Sequence, residues 1–397
     1  MSGAAPAPLG RVAILLTAVV GLGALSIDMF LPSLPALAAF YRTDAATAQL
    51  TVTLFLAGLA PAQLVWGPLS DRFGRRRILL SGLGLYAAAG LACALAPSIR
   101  LLVMARMIQA FGAGCGQVIA RAIVRDVYPR EHAARVLGLM GTAQALNPIL
   151  APVLGGFVHV AFGWRAVFFV LAAFGTLFFV ASAAVAPETN LQPDATALQP
   201  ARFAENVGTL FADRSYLGYV AVVTFMFSGQ FAFISGSSFV LISGLGVSPD
   251  VYGFCFGAVA VGIMAGSFTT SRLTGRVGGD RLILLGTALG AGAGLAMAAL
   301  AWSGVRSVPA IIAPMFFFAL GLGLANPNAV AGAVGPYPRM AGLAAAILGV
   351  IQMTGSALYG IGVGRVSDGT AVSMATAIAS AGVTAFVAFA LLRRGRS

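Results

Sequence analysis

The sequence contains no lysine: all 24 of its basic residues are arginine. A phosphate-binding loop needs the lysine of its G-x-x-x-x-G-K-[ST] run against the nucleotide, so an ATP-driven pump on this chain is excluded. Charge of either sign is scarce. Only 9% of the 397 residues are charged, against roughly 25% in a soluble domain, while 59% are hydrophobic. No soluble fold can cover that much apolar side chain. The two histidines, His132 and His159, have no partner at metal-ligand spacing, so no metal site is expected. The three cysteines, Cys93, Cys115 and Cys255, lie inside apolar stretches and read as small packing residues. No Ser-His, paired-Asp or His-Glu-x-x-His arrangement falls in the apolar runs, so the chain does not read as an enzyme and calls for no catalytic residue and no cofactor.

What the sequence has in abundance is apolar runs of roughly 20 residues, the length needed to cross a hydrocarbon core of about 30 Å. Runs and punctuation predict twelve helices, at 11–35, 47–68, 77–97, 99–121, 135–158, 164–186, 216–240, 250–272, 281–302, 308–328, 340–364 and 371–392. The net charge of +12 would suggest nucleic acid in a soluble protein. Here the arginines sit between apolar runs, as topology signals and contacts to membrane lipid. Alternate loops take most of them, including Arg72, Arg75, Arg76, Arg77, Arg121, Arg125, Arg272, Arg276 and Arg281, while the other loops hold only Arg42, Arg100, Arg165, Arg306 and Arg365. The positive-inside rule then places both termini in the cytoplasm. Residues 1–10 have no basic n-region or cleavage site, so the first run reads as an uncleaved spanning helix.

The one long polar break, 187–214, divides the chain into a six-helix bundle at 1–186 and another at 215–397. At the end of this linker Phe203, Val207, Leu210 and Phe211 share a face, which suits either a short interfacial helix or a disordered segment. The halves resemble one another. Asp71 to Leu80 lines up with Gly275 to Leu284, and Tyr128-Pro129-Arg130 recurs as Tyr337-Pro338-Arg339. Duplicated bundles commonly cup a substrate site at the membrane midplane.

Asp28 is the one acidic residue well inside a predicted span, and Arg106 the one arginine. A buried charge is expensive there and marks function by default. Counting along predicted segments 1 and 4 puts both about 10 Å below the same interface, so they can pair directly, pair across water, or not meet. An apolar setting favours a protonated carboxyl and a nearby guanidinium an ionised one, which would suit a proton-coupled carrier. A static ion pair between the two helices is the other reading. At the repeat offset the second half has alanines, Ala232 and Ala310, so any coupling belongs to the first half.

Other motifs are more specific. Gly67-Pro68-Leu69-Ser70-Asp71-Arg72-Phe73-Gly74-Arg75-Arg76-Arg77 resembles the G-x-x-x-D-R-x-G-R-R loop of the major facilitator superfamily. Arg106-x-x-Gln109-Ala110-x-Gly112 is similar to its R-x-x-Q-G-x-G motif, with alanine for one glycine. Ala151-Pro152-Val153-Leu154-Gly155-Gly156 is similar to the G-P-x-x-G-G motif of its drug–proton antiporters, again with one alanine. The segment from Ser26 to Pro35, SIDMFLPSLP, resembles that of the Bcr/CflA-type drug efflux family. The resemblance implies the major facilitator fold, all-α with twelve transmembrane helices in two bundles around a central cavity. It also implies a bacterial inner-membrane drug–proton antiporter working by alternating access, powered by the proton gradient and exporting bicyclomycin- or chloramphenicol-like antibiotics. Asp28 would bind proton or drug, Arg106 would tune that site, and an inner gate loop of Gly67, Asp71, Arg72, Gly74 and Arg75 would latch the cytoplasmic side. Pro152, Gly155 and Gly156 would permit bending or close packing.

Polar residues in apolar helices are candidates for the cavity wall: Met29 beside Asp28, Gln109, Gln144, Asn147, Gln230, Gln352 and Tyr359. Interhelical hydrogen bonding explains such residues equally well. Export of an amino acid or other metabolite is the alternative on the same scaffold. The expected partners are a small-molecule drug, protons and lipid, with neither nucleic acid nor ATP, and a two-half carrier of this kind can work as a monomer.

Overall fold

A computed structural model describes residues 9–190, 207–366 and 370–394, and within them every regular element is helical. Twelve helical stretches are long and apolar enough to cross a membrane. In lipid a backbone must satisfy its own hydrogen bonds, and only helices do so within one segment.

The first span differs from the single helix expected at 11–35. It consists of α1 (Leu9–Asp28), a 3-10 turn (Leu31–Ser33) and α2 (Leu34–Tyr41). Pro32 and Pro35 lack the N–H groups that would continue the α-helical ladder and disfavour helical backbone just before them. The Phe30 N–H turns to the Ile27 carbonyl instead, at 3.2 Å. That leaves the Ser26 carbonyl without its usual helical donor. The helical stretch runs on to Tyr41, so its end lies further along the chain from Asp28 than the predicted boundary at 35 implied.

The remaining spans are α3 (Ala45–Phe73), α4 (Arg75–Ala94), α5 (Ile99–Val127), α6 (Arg130–Phe162), α7 (Trp164–Val185), α8 (Arg214–Ser238, continued by a π-helical turn to Gly244), α9 (Pro249–Val277), α10 (Gly279–Trp302), α11 (Val308–Val334), α12 (Ala341–Val366) and α13 (Ala371–Arg394). Several outrun their predicted ends, α6 by a turn at each side, because hydropathy marks only the hydrocarbon core while the helix continues into the interface. Prolines such as Pro61, Pro148 and Pro327 sit inside helices without ending them, as neighbouring helices in a membrane bundle allow.

The sequence repeat is a structural one. In the first half α5 packs on α3 and α4, and α4 on α7; in the second, α11 packs on α9 and α10, and α10 on α13. Equivalent turns carry equivalent devices. Gly74 (φ +97°) and Gly278 (φ +85°) reverse the chain in backbone that side chains avoid. The Ser98 and Ser307 side chains accept from backbone N–H groups to cap α5 and α11. Tyr128 reaches the backbone of Ala13 at the start of α1, while the Tyr337 hydroxyl donates to Asp213, the cap of α8.

The halves meet through α6 against α9 and α3 against α12. The α3–α4 loop and its repeat mark the arginine-rich end of the bundle. Of the linker, residues 191–206 lie outside the described residues, and with them Phe203. Residues 207–212 are helical, with Leu210 buried, Val207 half-buried and Phe211 exposed.

Candidate functional site

The break after α1 delivers Asp28 to a cavity of about 430 Å³ between the halves. Ile27 and Ala24 come with it from α1, and Gln144, Ala145 and Pro148 from α6. The second half contributes Phe227, Gln230, Phe231 and Ile234 from α8, Phe256, Ala260, Ile263 and Ser267 from α9, Leu322, Asn326 and Pro327 from α11, and Gln352 from α12. The walls are mostly apolar, with a few polar groups, the usual character of a small-molecule site. Asp28 is 4% exposed. Among the described residues it is the only charged side chain in the lining, and the ion pairs among them are those of Arg75 with Asp71 and Asp126.

Arg106 therefore does not pair with Asp28. It is completely buried and points into the first bundle. One guanidinium nitrogen donates to the Ser26 carbonyl at 3.1 Å, another to Gln109 Oε1 at 2.8 Å, and Nε to the Thr51 carbonyl at 3.3 Å. The rings of Phe55, Phe30 and Phe168 surround it, with centroids 4.1, 5.3 and 5.6 Å away. Desolvating a cation costs several kcal/mol. Hydrogen bonds to a charged group contribute about 1.5–3 kcal/mol each and a desolvated ring about 2 kcal/mol, enough together to offset that cost without a carboxylate. The Ser26 bond serves the carbonyl freed by the break in α1, at the helix end where the macrodipole favours a cation. The Ser26 hydroxyl in turn bonds Tyr86 at 2.6 Å.

The other predicted residues separate into groups. Gln144, Gln230 and Gln352 line the cavity. Gln109 does not: it is fully buried behind Arg106, which it braces. Met29 is buried and absent from the cavity lining, and its backbone carbonyl lies so close to Gly155 of α6 that a Cβ there would overlap it. Asn147 donates to the Gly21 carbonyl at 2.8 Å and ties α6 to α1. Tyr359 belongs to a separate groove between α12 and α13, where its hydroxyl bonds the Ala377 carbonyl and Ser380. These placements correct the expectation that Met29, Gln109, Asn147 and Tyr359 face the cavity. Residues within a span buried on many sides show no polar face in sequence.

Two polar features of the site went unpredicted, one in the cavity wall and one behind it. Asn326 lines the wall with Oδ1 buried and unbonded, as is Oε1 of Gln230. A buried polar group left so costs about 1–3 kcal/mol. Arg121, read only as a topology charge, donates to Gln144 Oε1 at 3.3 Å.

At the end away from the arginines the halves are in close contact. A Cβ on Gly156 would overlap the backbone of Pro249 in α9, and one on Gly253 would lie 2.5 Å from Val153 Cα and 2.8 Å from the Pro152 carbonyl carbon in α6. Gly257 faces Ile149 one turn further along. Towards the arginine-rich end of α6, Gly138 and Gly141 have nothing within 4 Å of where a Cβ would be. The halves are thus closed against one another where α6 meets α9, while these two glycines of α6 touch nothing at the other end.

The predicted gate loop is folded onto its own half. Arg75 bonds Asp71 at 2.5 Å, Asp126 at 3.0 Å and the Ser70 hydroxyl. Arg72 lies over Phe73, 5.3 Å from the ring centroid. Gly67 has room around it, with Val118 3.9 Å away, whereas a Cβ on Gly74 would meet the carboxylate of Glu188. Glu188 caps α4 through the Arg75 and Arg76 N–H groups, and Asn190 bonds the carbonyls of Ser70 and Asp71.

The model of the Major Facilitator Superfamily matches residues 16–363. The chain belongs to that superfamily. It is a multi-pass membrane transporter and not an enzyme. Superfamily members similar to it include an uncharacterized MFS-type transporter, YdgK, of Bacillus subtilis, 33% identical over 94% of this chain and 93% of the relative. A bicyclomycin resistance protein homolog of Haemophilus influenzae is 29% identical over 92% of each. The multidrug resistance protein MdtL of Escherichia coli is 30% identical over 84% of this chain and 83% of its own. Among solved structures, a D-xylose-proton symporter superposes with a TM-score of 0.79 at 16% identity, covering 97% of both chains, and shares the fold.

Proposed function

We propose that the protein is a proton-coupled efflux transporter of small-molecule antibiotics, working by alternating access across a bacterial inner membrane with the arginine-rich end and both termini in the cytoplasm. The observation that carries this reading is the lone, unpaired Asp28 at the break of α1, facing a cavity shared by the two halves. A carboxyl there can take a proton from one side and surrender it to the other without first breaking an ion pair. Relatives named for bicyclomycin and multidrug resistance support the substrate class. The positive-inside distribution of arginine supports the sidedness, and the proton gradient supplies the energy.

Expression in a pump-deficient, drug-sensitive bacterium raises resistance to bicyclomycin or chloramphenicol, and Asp28→Asn abolishes the effect while the protein remains in the membrane at wild-type abundance. Proton flux is then measured in everted vesicles on adding drug. Undiminished flux in the variant overturns the mechanism.

A further inference from the structure

We propose that the second half carries the recognition pole of the cavity. There the carboxamides of Gln230, Asn326 and Gln352 hydrogen-bond a compact, uncharged ligand with both donors and acceptors, while Asp28 faces it from the first half. The inference rests on the efflux reading of this cavity and assigns its ligand chemistry and the residues that select it.

The observation behind it is an asymmetry between the halves. In the first half the Gln109 and Gln144 oxygens are engaged by Arg106 and Arg121, and Asn147 donates to the Gly21 carbonyl; the one orphan amide atom there, Gln109 Nε2, lies in the bundle with Arg106 and not in the cavity wall. On the second-half wall the Gln230 and Asn326 oxygens are buried with no protein partner, and Gln230 is 96% buried. Gln352 adds a third carboxamide from α12. Buried polar groups are ordinarily paired; both oxygens are closed off from the cavity space as they stand, and a ligand completes them as the carboxamides turn toward it. A carboxamide presents a donor and an acceptor whichever way it is turned, so the pole suits hydroxyl, lactam or amide groups. Phe227 and Phe231 are stacked at 21° with centroids 6.5 Å apart, and with Phe256 they offer an apolar surface for the rest of the molecule.

Charge in the lining sets what is refused. Among the described residues no basic side chain lines the cavity, and its one ionisable group is an acid. A carboxylate ligand would lose its hydration with no cation to replace it. A donor-free cation would meet Asp28 alone and leave the carboxamides unpaired, the mismatch that sites built for hydrogen bonding reject most strongly.

The test is equilibrium binding to the purified full-length protein in detergent, where no gradient exists. Chloramphenicol and bicyclomycin are the uncharged probes, tetraphenylphosphonium the donor-free cation and benzylpenicillin the carboxylate. Wild type binds at least one uncharged probe more tightly than either charged one. Gln230→Met and Asn326→Leu, which keep volume and remove the amide, each weaken that binding by about tenfold, the scale expected when a buried partner is lost. If those variants do not fold, Gln352→Met decides at a partly exposed position of the same wall: threefold or greater weakening supports the pole and wild-type affinity overturns it. Wild-type affinity in the first two variants, tighter binding of a charged probe, or no binding of either uncharged probe also overturns it. Uptake driven by a pH gradient in proteoliposomes separates the two readings. Amide-dependent binding with no gradient-driven uptake defeats proton coupling and leaves the pole standing; gradient-driven uptake indifferent to the carboxamides does the reverse.

Discussion

Four helices and the turn after α1 contribute to the setting of Arg106, through Ser26, Phe30, Thr51, Phe55, Gln109 and Phe168. A guanidinium reaches three acceptors at once because its donors form a fixed planar fork; an ammonium on a shorter reach does not. Arg106→Lys therefore loses at least one charge-assisted bond and destabilises the fold by about 2–4 kcal/mol, read as a lower Tm in detergent. Gln109→Leu, which removes one acceptor, has a smaller effect in the same assay. Asp28→Asn leaves Tm unchanged, since Asp28 has no ion pair to lose. Both charges were legible in the sequence because each interrupts an apolar run. Their separation was not, since spacing along a helix gives depth but not the direction a side chain takes around the axis. The alanine that replaces a motif glycine at Ala110 is accommodated in the same way, out of sight of the motif. It packs fully buried against α3, where a Cβ on Gly58 would come within 3.0 Å of its own.

Among elements, the contact of α6 with α9 depends on glycine from both sides. Gly155 and Gly156 were recognisable as part of a motif, but Gly253 was one of 50 glycines and carried no signal until the backbone opposite it was known. Gly253→Val forces α9 away from Val153 and opens the sealed end. Transport falls at least tenfold, and a cysteine placed near Ile149 reacts with a membrane-impermeant thiol reagent from the side that wild type protects. The break in α1 was hidden for a different reason: a hydropathy window averages across Pro32 and Pro35, which are themselves compatible with an apolar run. Helix starts behave more predictably. Asp44 accepts from the Thr47 N–H at 2.7 Å and caps α3, and those bonds hold its carboxyl below the ordinary value. A carboxylate with a depressed folded pKa stabilises above its unfolded value and loses that contribution as pH falls. Asp44→Ala therefore costs at most about 1 kcal/mol near neutral pH, and the difference from wild type in Tm shrinks once pH drops below about 4.

For the molecule as a whole, alternating access requires the sealed end to open. Ile149 and Gly257 face each other across the halves, with a Cβ at 257 placed 3.9 Å from the Ile149 Cα, close to disulfide geometry. An Ile149→Cys, Gly257→Cys pair in a Cys255→Ser background forms a crosslink that stops transport, and reduction restores it. The duplicated architecture was readable from the paired loops, whereas the present posture, shut at one end, depends on contacts between halves that no repeat in the sequence records. One further consequence follows from Arg106 having its own cage. Its charge stays fixed in the electric field across the bilayer, so Asp28 alone sets the valence of the moving part. Under the proposed mechanism, exchange of one proton for an uncharged molecule carries one net positive charge inward each cycle, and a voltage negative inside drives it with about 2.3 kcal/mol per 100 mV. Exchange for a monovalent cation carries none. Potassium diffusion potentials imposed with valinomycin should accelerate the first and leave the second unchanged, making the transporter a current source for neutral cargo and electrically silent for a cation.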